Sequence, residues 1–251
     1  MKILAIINQK GGVGKTTTTV NLAYSLSQKG KKVLVVDLDP QGNASSGLGV
    51  QTREVKLSLY DCLVGSTKLK EAIVETGWKN LTLLAASTKL AALDTELPAS
   101  QRDRVLKLKQ ALADAQADFV LIDAPPSLGL LTVNALVAAD SVLLPVQAEY
   151  YALEGLGQLL ETMQIVRTGL NKSLGVLGIL LTMYDGRTSL ARQVKEQLET
   201  HFKKYLFKAI IPRNVKLAEA PSHGKPIGVY APSSSGAKAY ELLAKEVVQR
   251  A

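Results

Sequence analysis

Residues 10–17 combine lysine, glycine and threonine at a spacing suited to phosphate binding. The segment reads Lys-Gly-Gly-Val-Gly-Lys-Thr-Thr, follows an apolar run of buried-strand length at residues 2–8, and opens a long helical pattern. Glycines let several backbone N–H groups point into one concavity, and a helix N-terminus adds unpaired donors and partial positive charge. Lys15 can then reach the β- and γ-phosphates, and the Thr16 hydroxyl can bind Mg²⁺. The sequence therefore predicts a phosphate-binding loop.

One feature of this loop departs from the ordinary motif, G-x-x-x-x-G-K-[ST]. Gln9 stands where that motif has its first glycine, and a second lysine, Lys10, follows it. A lysine in a loop is usually a solvated charge, but two lysines that flank one glycine cradle need several negative charges nearby. The segment resembles the deviant Walker A motif, K-G-G-x-G-K-T-[ST], of the ParA/MinD family of ATPases. The resemblance implies an ATP site at Lys10, Gly11, Gly12, Val13, Gly14, Lys15, Thr16 and Thr17.

Two further predicted strands end in acidic residues. The apolar run 32–36 is followed by Asp37 and Asp39, and the run 118–123 ends in Asp123. Open α/β sheets bind their ligands at the carboxyl ends of their strands, so we expect these acids beside the phosphate-binding loop. An acid at the end of such a strand holds the Mg²⁺ shell in phosphoryl-transfer enzymes. Turn formation for the first two acids and capping for the third remain as structural alternatives.

The family resemblance assigns roles to these residues. The segments DLDPQGN and DAPPS are similar to switch I and switch II of ParA/Soj-type proteins. The resemblance implies that Asp39 positions the attacking water, that Asp37 lies near the water shell of the metal, and that Lys10 crosses to the nucleotide of a second subunit. The spacing of the two switch I acids does not by itself separate their roles. The implied catalytic residues are Lys10, Lys15 and Asp39, and the implied metal-binding residues are Thr16, Asp37 and Asp123.

Three later segments, PVQAEYYALEG, TMYDGRT and IPRNVKLAEAPSHGKPI, also resemble the chromosomal ParA/Soj subgroup, so the resemblance covers essentially the whole chain. It implies that Glu149 approaches the nucleotide ribose across a dimer interface and that the I-P-R-N turn lines the adenine pocket. The candidate nucleotide contacts outside the loop are Glu149, Met183, Pro212 and Asn214.

The family's behaviour follows by implication. We expect a homodimer that forms on ATP binding, binds double-stranded DNA non-specifically, and is released when a ParB-type centromere-binding protein stimulates ATP hydrolysis. The residues contain no strong candidate for a general base, so slow intrinsic turnover is expected. The expected location is cytoplasmic and nucleoid-associated, with ATP and Mg²⁺ as cofactors and no membrane partner.

Charge is unevenly distributed along the 251 residues, whose formal net charge is +8. Residues 1–150 carry 16 Lys and Arg against 14 Asp and Glu, whereas residues 151–251 carry 14 against 8. A basic half favours an anionic partner such as nucleic acid, although each basic residue alone could be ordinary solvated surface. The DNA-binding candidates are Arg187, Arg192, Lys195, Arg213, Lys216, Lys238 and Lys245.

The composition excludes several kinds of site and several classes of protein. Cys62 is the single cysteine and there are two histidines, so an intramolecular disulfide and a zinc–cysteine cluster are excluded. No apolar run approaches the ~18 residues of a membrane span, and the N-terminus enters strand-like sequence without a signal peptide. We expect a soluble protein.

Apolar strands and amphipathic helices alternate throughout. The predicted strands are residues 2–8, 32–36, 81–85, 118–123, 140–146, 174–182 and 206–211, and the main predicted helices are 15–28, 57–63, 102–115, 147–169, 189–204 and 236–249. This pattern predicts an α/β fold with a doubly wound, mainly parallel sheet flanked by helices, in a single ParA-type ATPase domain, residues 1–251.

Three alternative functions fit the sequence less well. A MinD-like membrane-cycling cell-division regulator would need an amphipathic tail after the last helix, and this chain ends at Ala251, where that helix ends. An electron-transfer reductase like the nitrogenase iron protein would need two cluster cysteines per subunit. A small-molecule ATP-dependent synthetase would leave the basic half unexplained. Because the first strand begins at residue 2, we also expect no helix-turn-helix module for operator binding.

Overall fold

A computed structural model describes residues 1–96, 100–149 and 152–251. The strands in this part of the chain are β1 (Lys2–Ile6), β2 (Val33–Asp37), β3 (Ile73–Glu75), β4 (Leu81–Leu84), β5 (Phe119–Asp123), β6 (Ser141–Gln147) and β7 (Gly175–Thr182). They form one sheet in the order β3-β4-β2-β5-β1-β6-β7, in which β3 pairs antiparallel with β4 and the other neighbours are parallel.

The connections between the strands are mostly helical. The helices are α1 (Lys15–Ser27), α2 (Asn43–Gly47), α3 (Leu59–Val64), α4 (Leu69–Ala72), α5 (Leu93–Glu96), α6 (Gln101–Ala111), α7 (Leu130–Ala138), α8 (Ala152–Gly169), α9 (Ser189–Phe202), α10 (Val215–Glu219), α11 (Ile227–Tyr230) and α12 (Ser235–Arg250). Among the described residues, no helix combines the length and apolarity needed to cross a membrane.

Helices cover both faces of the sheet because the strands are apolar on both sides. Along β1, Ile3 and Ala5 face one core, while Leu4 and Ile6 face the other. Helices α3, α6, α7, α8 and α9 pack on the first core, and α1 and α12 on the second. Strands buried on both faces are typical of parallel sheets. The predicted doubly wound, mainly parallel α/β architecture is therefore confirmed.

The register of the central strands determines where the acidic residues meet. In the β2–β5 pair, Asp37 lies opposite Asp123, and in the β1–β5 pair Asp123 lies opposite Ile6. The chain leaves β1 at this same edge and enters the glycine loop and α1. The parallel sheet thus brings both acids and the loop to the carboxyl ends of three adjacent strands.

Most predicted elements are present with ends that differ by a few residues, but the region 44–80 holds more structure than predicted. One short helix was expected there, and it is present as α3. The structure adds α2, α4 and the antiparallel strand β3. The predicted start of a helix within 147–154 falls partly on residues 150 and 151, outside the described residues, and α8 begins at Ala152.

The four-residue repeat of Leu190, Val194, Leu198 and Phe202 predicts that Leu190 faces the core, and the spacing along the last helix predicts the same for Val248. Both residues are exposed instead. Leu190 is 40% exposed and Val248 is 39% exposed. The α9 prediction used a strict four-residue repeat, which drifts by about 40° per step around a helix with 3.6 residues per turn. The buried side of α9 instead follows Ala191, Val194 and Leu198.

Residues 206–211, predicted as the last strand, are not a strand, and this prediction was wrong. Two isolated parallel bridges, Ile179–Leu206 and Tyr184–Pro212, connect this segment to the β7 side of the sheet. The segment resembles a strand in sequence because it is short and apolar. Between these bridges, side chains of α12 bind part of its backbone.

Side chains near the end of α12 supply these backbone contacts. Glu246 accepts hydrogen bonds from the N–H groups of Lys208, at 2.9 Å, and Ala209, at 2.6 Å. Arg250 donates to the carbonyl oxygen of Leu206 at 2.8 Å and to that of Tyr205 at 3.1 Å. The last helix therefore substitutes polar side chains for a neighbouring strand.

We predict that Glu246→Ala lowers the free energy of unfolding by about 2 kcal/mol, because it leaves two backbone N–H groups without their acceptor. Urea-induced unfolding measures the change. The matched control is Gln249→Ala, an exposed position on the same helix, which should change stability by less than about 0.5 kcal/mol. Equal effects of the two variants would contradict this role of Glu246.

Candidate phosphate-binding site

The loop between β1 and α1 has the backbone conformation of an open cradle. Gly12 has φ +76° and Gly14 has φ +88°, both in the left-handed region that favours glycine. A Cβ built on Gly11 or Gly12 would meet no other atom within 4 Å, so the loop backbone faces open space. Gly14 precedes α1 and provides no side-chain cap, which leaves the N–H groups at the start of α1 available to a ligand.

Lys15 is a buried cation at the base of this cradle. The residue is only 7% exposed, and its Nζ donates a hydrogen bond to the Lys10 carbonyl oxygen at 3.2 Å. Burial lowers the pKa of this amine, while the negative charges of Asp123 and Asp39 act in the opposite direction. A charged lysine held here is suited to an anionic ligand in the loop.

Asp37 and Asp123 form a buried pair of carboxyl groups, each with 0% exposure. Asp123 accepts hydrogen bonds from the hydroxyls of Thr16, at 2.7 Å, and Thr19, at 2.9 Å. Burial raises the pKa of both carboxyl groups above their ordinary value, and the charge of Asp37 contributes to the rise at Asp123. Holding both groups ionised is costly, so the pair is suited to a bound cation.

The donor set fits Mg²⁺. Asp37 Oδ1 is a buried oxygen that has no hydrogen-bond partner among the described residues, and the Thr16 hydroxyl lies beside Asp123. No cluster of three or more acidic, histidine or cysteine side chains in the described ranges is arranged to hold a metal alone. Mg²⁺ is usually bound by one or two carboxylates together with substrate phosphates, and this site offers that arrangement.

Two adjoining cavities extend from the loop. The first, of about 620 Å³, includes Asp39 in its lining, and Asp39 Oδ1 accepts a hydrogen bond from the Gln41 N–H at 3.0 Å. The second, of about 370 Å³, is lined partly by Pro212 and Asn214. Met183 lines both cavities. Its φ of +49° is unfavourable for a residue with a side chain, and backbone strain of this kind is typical of ligand sites. Gly14 and Thr17 also line both cavities.

Lys10 and Glu149 contact each other within this chain. The Lys10 ammonium pairs with Glu149 Oε2, and both side chains are a little under half exposed. Gln147 donates to the other carboxylate oxygen of Glu149 at 2.6 Å, and Asn8 Oδ1 accepts the Lys10 N–H at 3.0 Å. The two residues that the family resemblance places across a dimer interface are thus paired with each other at the rim of the loop.

The predicted DNA-binding residues are spread over several elements. Arg187 pairs with Asp185 at 2.6 Å, Lys195 with Glu199 at 2.8 Å, and Lys216 with Glu219 at 2.8 Å. Hydrogen bonds from Arg187 hold the pKa of Asp185 at about 2, with a smaller contribution from the charge of Arg213. The Arg213 N–H donates to the carbonyl oxygen of Tyr184, next to Asp185, at 3.2 Å. Arg192 donates to the Gly186 carbonyl oxygen at 2.7 Å. Lys238 and Lys245 are exposed on α12.

Two residues of the site were absent from the sequence predictions. Thr19 hydrogen-bonds Asp123, and its position three residues after Thr16 places it on the same side of α1, a spacing that could have identified it. Ser45 contacts Asp37 through its N–H and its hydroxyl, each at 2.7 Å. A serine among the polar residues after Asp39 carries no comparable signal, because this contact depends on how α2 folds back on β2.

Comparison with known proteins agrees with the geometry. The family model described as an AAA domain matches residues 1–176. The sporulation initiation inhibitor protein Soj of Bacillus subtilis is 53% identical over 249 residues, covering 98% of each chain. The chromosome-partitioning ATPase Soj of Thermus thermophilus is also 53% identical, covering 98% of this chain and 95% of that protein.

Solved structures share the fold. The cobyrinic acid a,c-diamide synthase of Mycobacterium smegmatis, with bound ADP and magnesium, is 37% identical with a TM-score of 0.85, covering 99% of this chain and 94% of that one. The cell division ATPase MinD of Pyrococcus furiosus is 29% identical with a TM-score of 0.81, covering 100% and 99%. On its loop sequence, its sheet and its full-length relatives, this chain belongs to the ParA/Soj family of chromosome-partitioning ATPases.

Proposed function

We propose that this chain is an ATPase of chromosome or plasmid segregation. It dimerises when it binds ATP, binds DNA as the dimer, and releases the DNA after ATP hydrolysis. The observation that carries this proposal is the different placement of two lysines on one glycine loop. Lys15 is buried beneath the cradle, whereas Lys10 lies at its half-exposed rim. The first can serve the nucleotide of its own subunit, and the second is placed where another copy can approach.

Catalysis would rest on positioning and charge compensation, as in other phosphoryl transfers. The loop N–H groups and Lys15 bind the β- and γ-phosphates. Thr16 and Asp123, with Asp37 nearby, would hold Mg²⁺, which would neutralise phosphate charge. Asp39 lines the same cavity and orients the attacking water. Since these groups include no strong base for that water, turnover is slow until a ParB-type partner stimulates it.

Nucleotide recognition would continue into the second cavity. Its lining includes Met183, Pro212, Asn214 and Leu217, which together offer apolar surface and one amide side chain to an adenine ring. The M. smegmatis relative solved with ADP and magnesium supports nucleotide and magnesium binding in proteins of this fold. The cofactors proposed for this chain are therefore ATP and Mg²⁺.

Dimerisation would require the Lys10–Glu149 pair to open. The pair is partly solvated, and exposed ion pairs contribute only about 0–1 kcal/mol, so the triphosphate of a second subunit can compete for Lys10. Glu149 is then released to approach the partner's ribose. ATP thus supplies the charge that joins two subunits, and hydrolysis removes part of it.

DNA binding would use the basic residues of the C-terminal half. Dimerisation doubles any such surface, and phosphate contacts act together with a steep dependence on salt. We propose a cytoplasmic, nucleoid-associated protein whose DNA binding is non-specific. Arg187 and Arg213, which lie near Asp185, and Lys216 on α10 are the first residues to test.

Lys15→Ala is predicted to abolish ATP binding, because it removes the buried cation at the phosphates. Lys10→Ala is the matched variant, since it removes the rim charge and should keep nucleotide binding while losing ATP-dependent dimerisation. Isothermal titration calorimetry and light scattering measure the two properties. Wild-type ATP affinity in Lys15→Ala would refute the assignment, and so would a normal dimer of Lys10→Ala.

Asp39→Ala is predicted to retain ATP binding and to hold the dimer on DNA, because the attacking water loses its orienting carboxylate. Nucleotide affinity and phosphate release are measured on the same preparation. Gln41→Ala, which alters another residue of the same cavity, controls for local disturbance and should hydrolyse ATP faster than Asp39→Ala. Loss of nucleotide binding in Asp39→Ala would rule out the water-positioning role.

DNA co-sedimentation with ATP, ADP and no nucleotide tests the function as a whole. We predict retention with ATP alone, and a roughly tenfold loss of affinity in Arg187→Glu or Lys216→Glu without loss of dimerisation, since each reversal acts twice in a dimer. Lys79→Glu, an exposed reversal between β3 and β4, should bind like the parent protein. Absence of retention by the ATP-bound parent at low salt would end the segregation proposal.

A further inference from the structure

Ser45, on α2, is tied to the acid at the end of β2. It is fully buried, and both its N–H and its hydroxyl donate to Asp37 Oδ2, each at 2.7 Å. The same hydroxyl oxygen accepts the N–H of Ala86, just beyond β4, at 3.2 Å. One serine therefore joins α2, β2 and the end of β4 through three hydrogen bonds.

These contacts leave one carboxylate oxygen of the acidic pair without a partner. Asp123 has Thr16 on Oδ2 and Thr19 on Oδ1, and Asp37 Oδ2 is doubly occupied by Ser45. Asp37 Oδ1 is the buried oxygen of the pair that has no hydrogen-bond partner among the described residues. Because rotation of the Asp37 carboxylate would break two bonds to Ser45, the direction of Oδ1 is constrained.

We propose that Ser45 is a positioning residue for the metal: by holding Asp37 Oδ2, it presents Oδ1 to the water shell of a nucleotide-bound magnesium ion. This inference rests on the proposed function, in which the loop binds Mg²⁺ with a nucleoside triphosphate. Hydrogen bonds to an ionised carboxylate are about twice as strong as neutral ones, so two of them can hold one rotamer. Ser45 itself touches neither nucleotide nor metal.

The element that carries Ser45 is rigidly supported. A Cβ on Gly47, in α2, would lie 3.1 Å from Val20 of α1, and a Cβ on Gly224 would lie 2.8 Å from the Gly49 backbone. These close approaches place α2 and the loop after it directly against neighbouring elements. Support of this kind is what keeps a metal-facing group in a single orientation.

Asp39 lies between the two ends of this contact in sequence. The bonds from Ser45 to Asp37 close the segment 37–45, which includes the proposed water-positioning residue. The two hydrogen bonds from Ser45 to Asp37 therefore also restrict the position of the Asp39 backbone. A simpler interpretation is that Asp37 only accepts the N–H groups at the start of α2, which is ordinary helix capping, and the experiment must separate the two.

The test compares nucleotide affinity with and without the metal. Affinity for a fluorescent ADP is measured on the full chain in excess EDTA and again in excess Mg²⁺, and the ratio is the gain due to magnesium. Ser45→Ala should bind as well as the parent in EDTA, with the magnesium gain reduced about tenfold by loss of a hydrogen bond to a charged group. Ser27→Ala is the control, since it removes another buried serine hydroxyl, bonded to the Tyr24 carbonyl oxygen at 2.8 Å.

Each outcome has a distinct meaning. A parent protein without any magnesium gain would overturn the proposed function together with its metal site. An unchanged magnesium gain in Ser45→Ala would overturn the positioning role alone. Equal losses of nucleotide affinity in EDTA and in Mg²⁺ would also overturn it, and would indicate that the Ser45 contact only caps α2. If Ser45→Ala fails to fold, Ser45→Cys, with a weak donor at nearly the same volume, must show an intermediate gain, and a full gain in that variant refutes the proposal.

Discussion

The central constraint on this molecule is the burial of two carboxyl groups side by side. Parallel pairing of β2 with β5 sets Asp37 opposite Asp123, and neither is exposed to water. Desolvation raises both pKa values, and the negative charge of Asp37 adds to the rise at Asp123. In the proposed function, a metal ion bound to phosphates would supply the missing positive charge, and the glycine loop would receive the negative charge. The ligand preference thus follows from strand order as much as from loop sequence.

The features that could be predicted from sequence are those that depend on neighbouring residues. The glycine loop, the acids at strand ends and the boundaries of α1 are local, because a strand, a turn and a helix start follow each other within a few residues. The error at residues 206–211 has the opposite origin. Their backbone is bound by Glu246 and Arg250, about 40 residues later in the chain, and no local pattern reports such a contact. The hydrogen bonds of Ser45 to Asp37 and Ala86 were missed for the same reason.

The basic character of the C-terminal half was predictable from composition, but the state of each charge was not. Arg187, Lys195 and Lys216 each have an acidic partner two to four residues away in sequence, whereas the exposed Lys238 and Lys245 occur seven residues apart on α12. Paired side chains must leave an internal partner before they contact a phosphate, so net charge overstates what each residue offers. Pairing depends on rotamers and helix position, which single-sequence reasoning does not resolve.

The arrangement at the β7 edge has a consequence for self-association. An uncovered edge strand is a template on which a strand of another molecule can add. Here residues 205–211 lie along that edge, where Phe207 and Ile211 donate to carbonyl oxygens of β7, and α12 binds the backbone beyond them. At the opposite edge, β3 has only three residues. Both edges of the sheet therefore offer little free backbone on which a strand of another molecule could add.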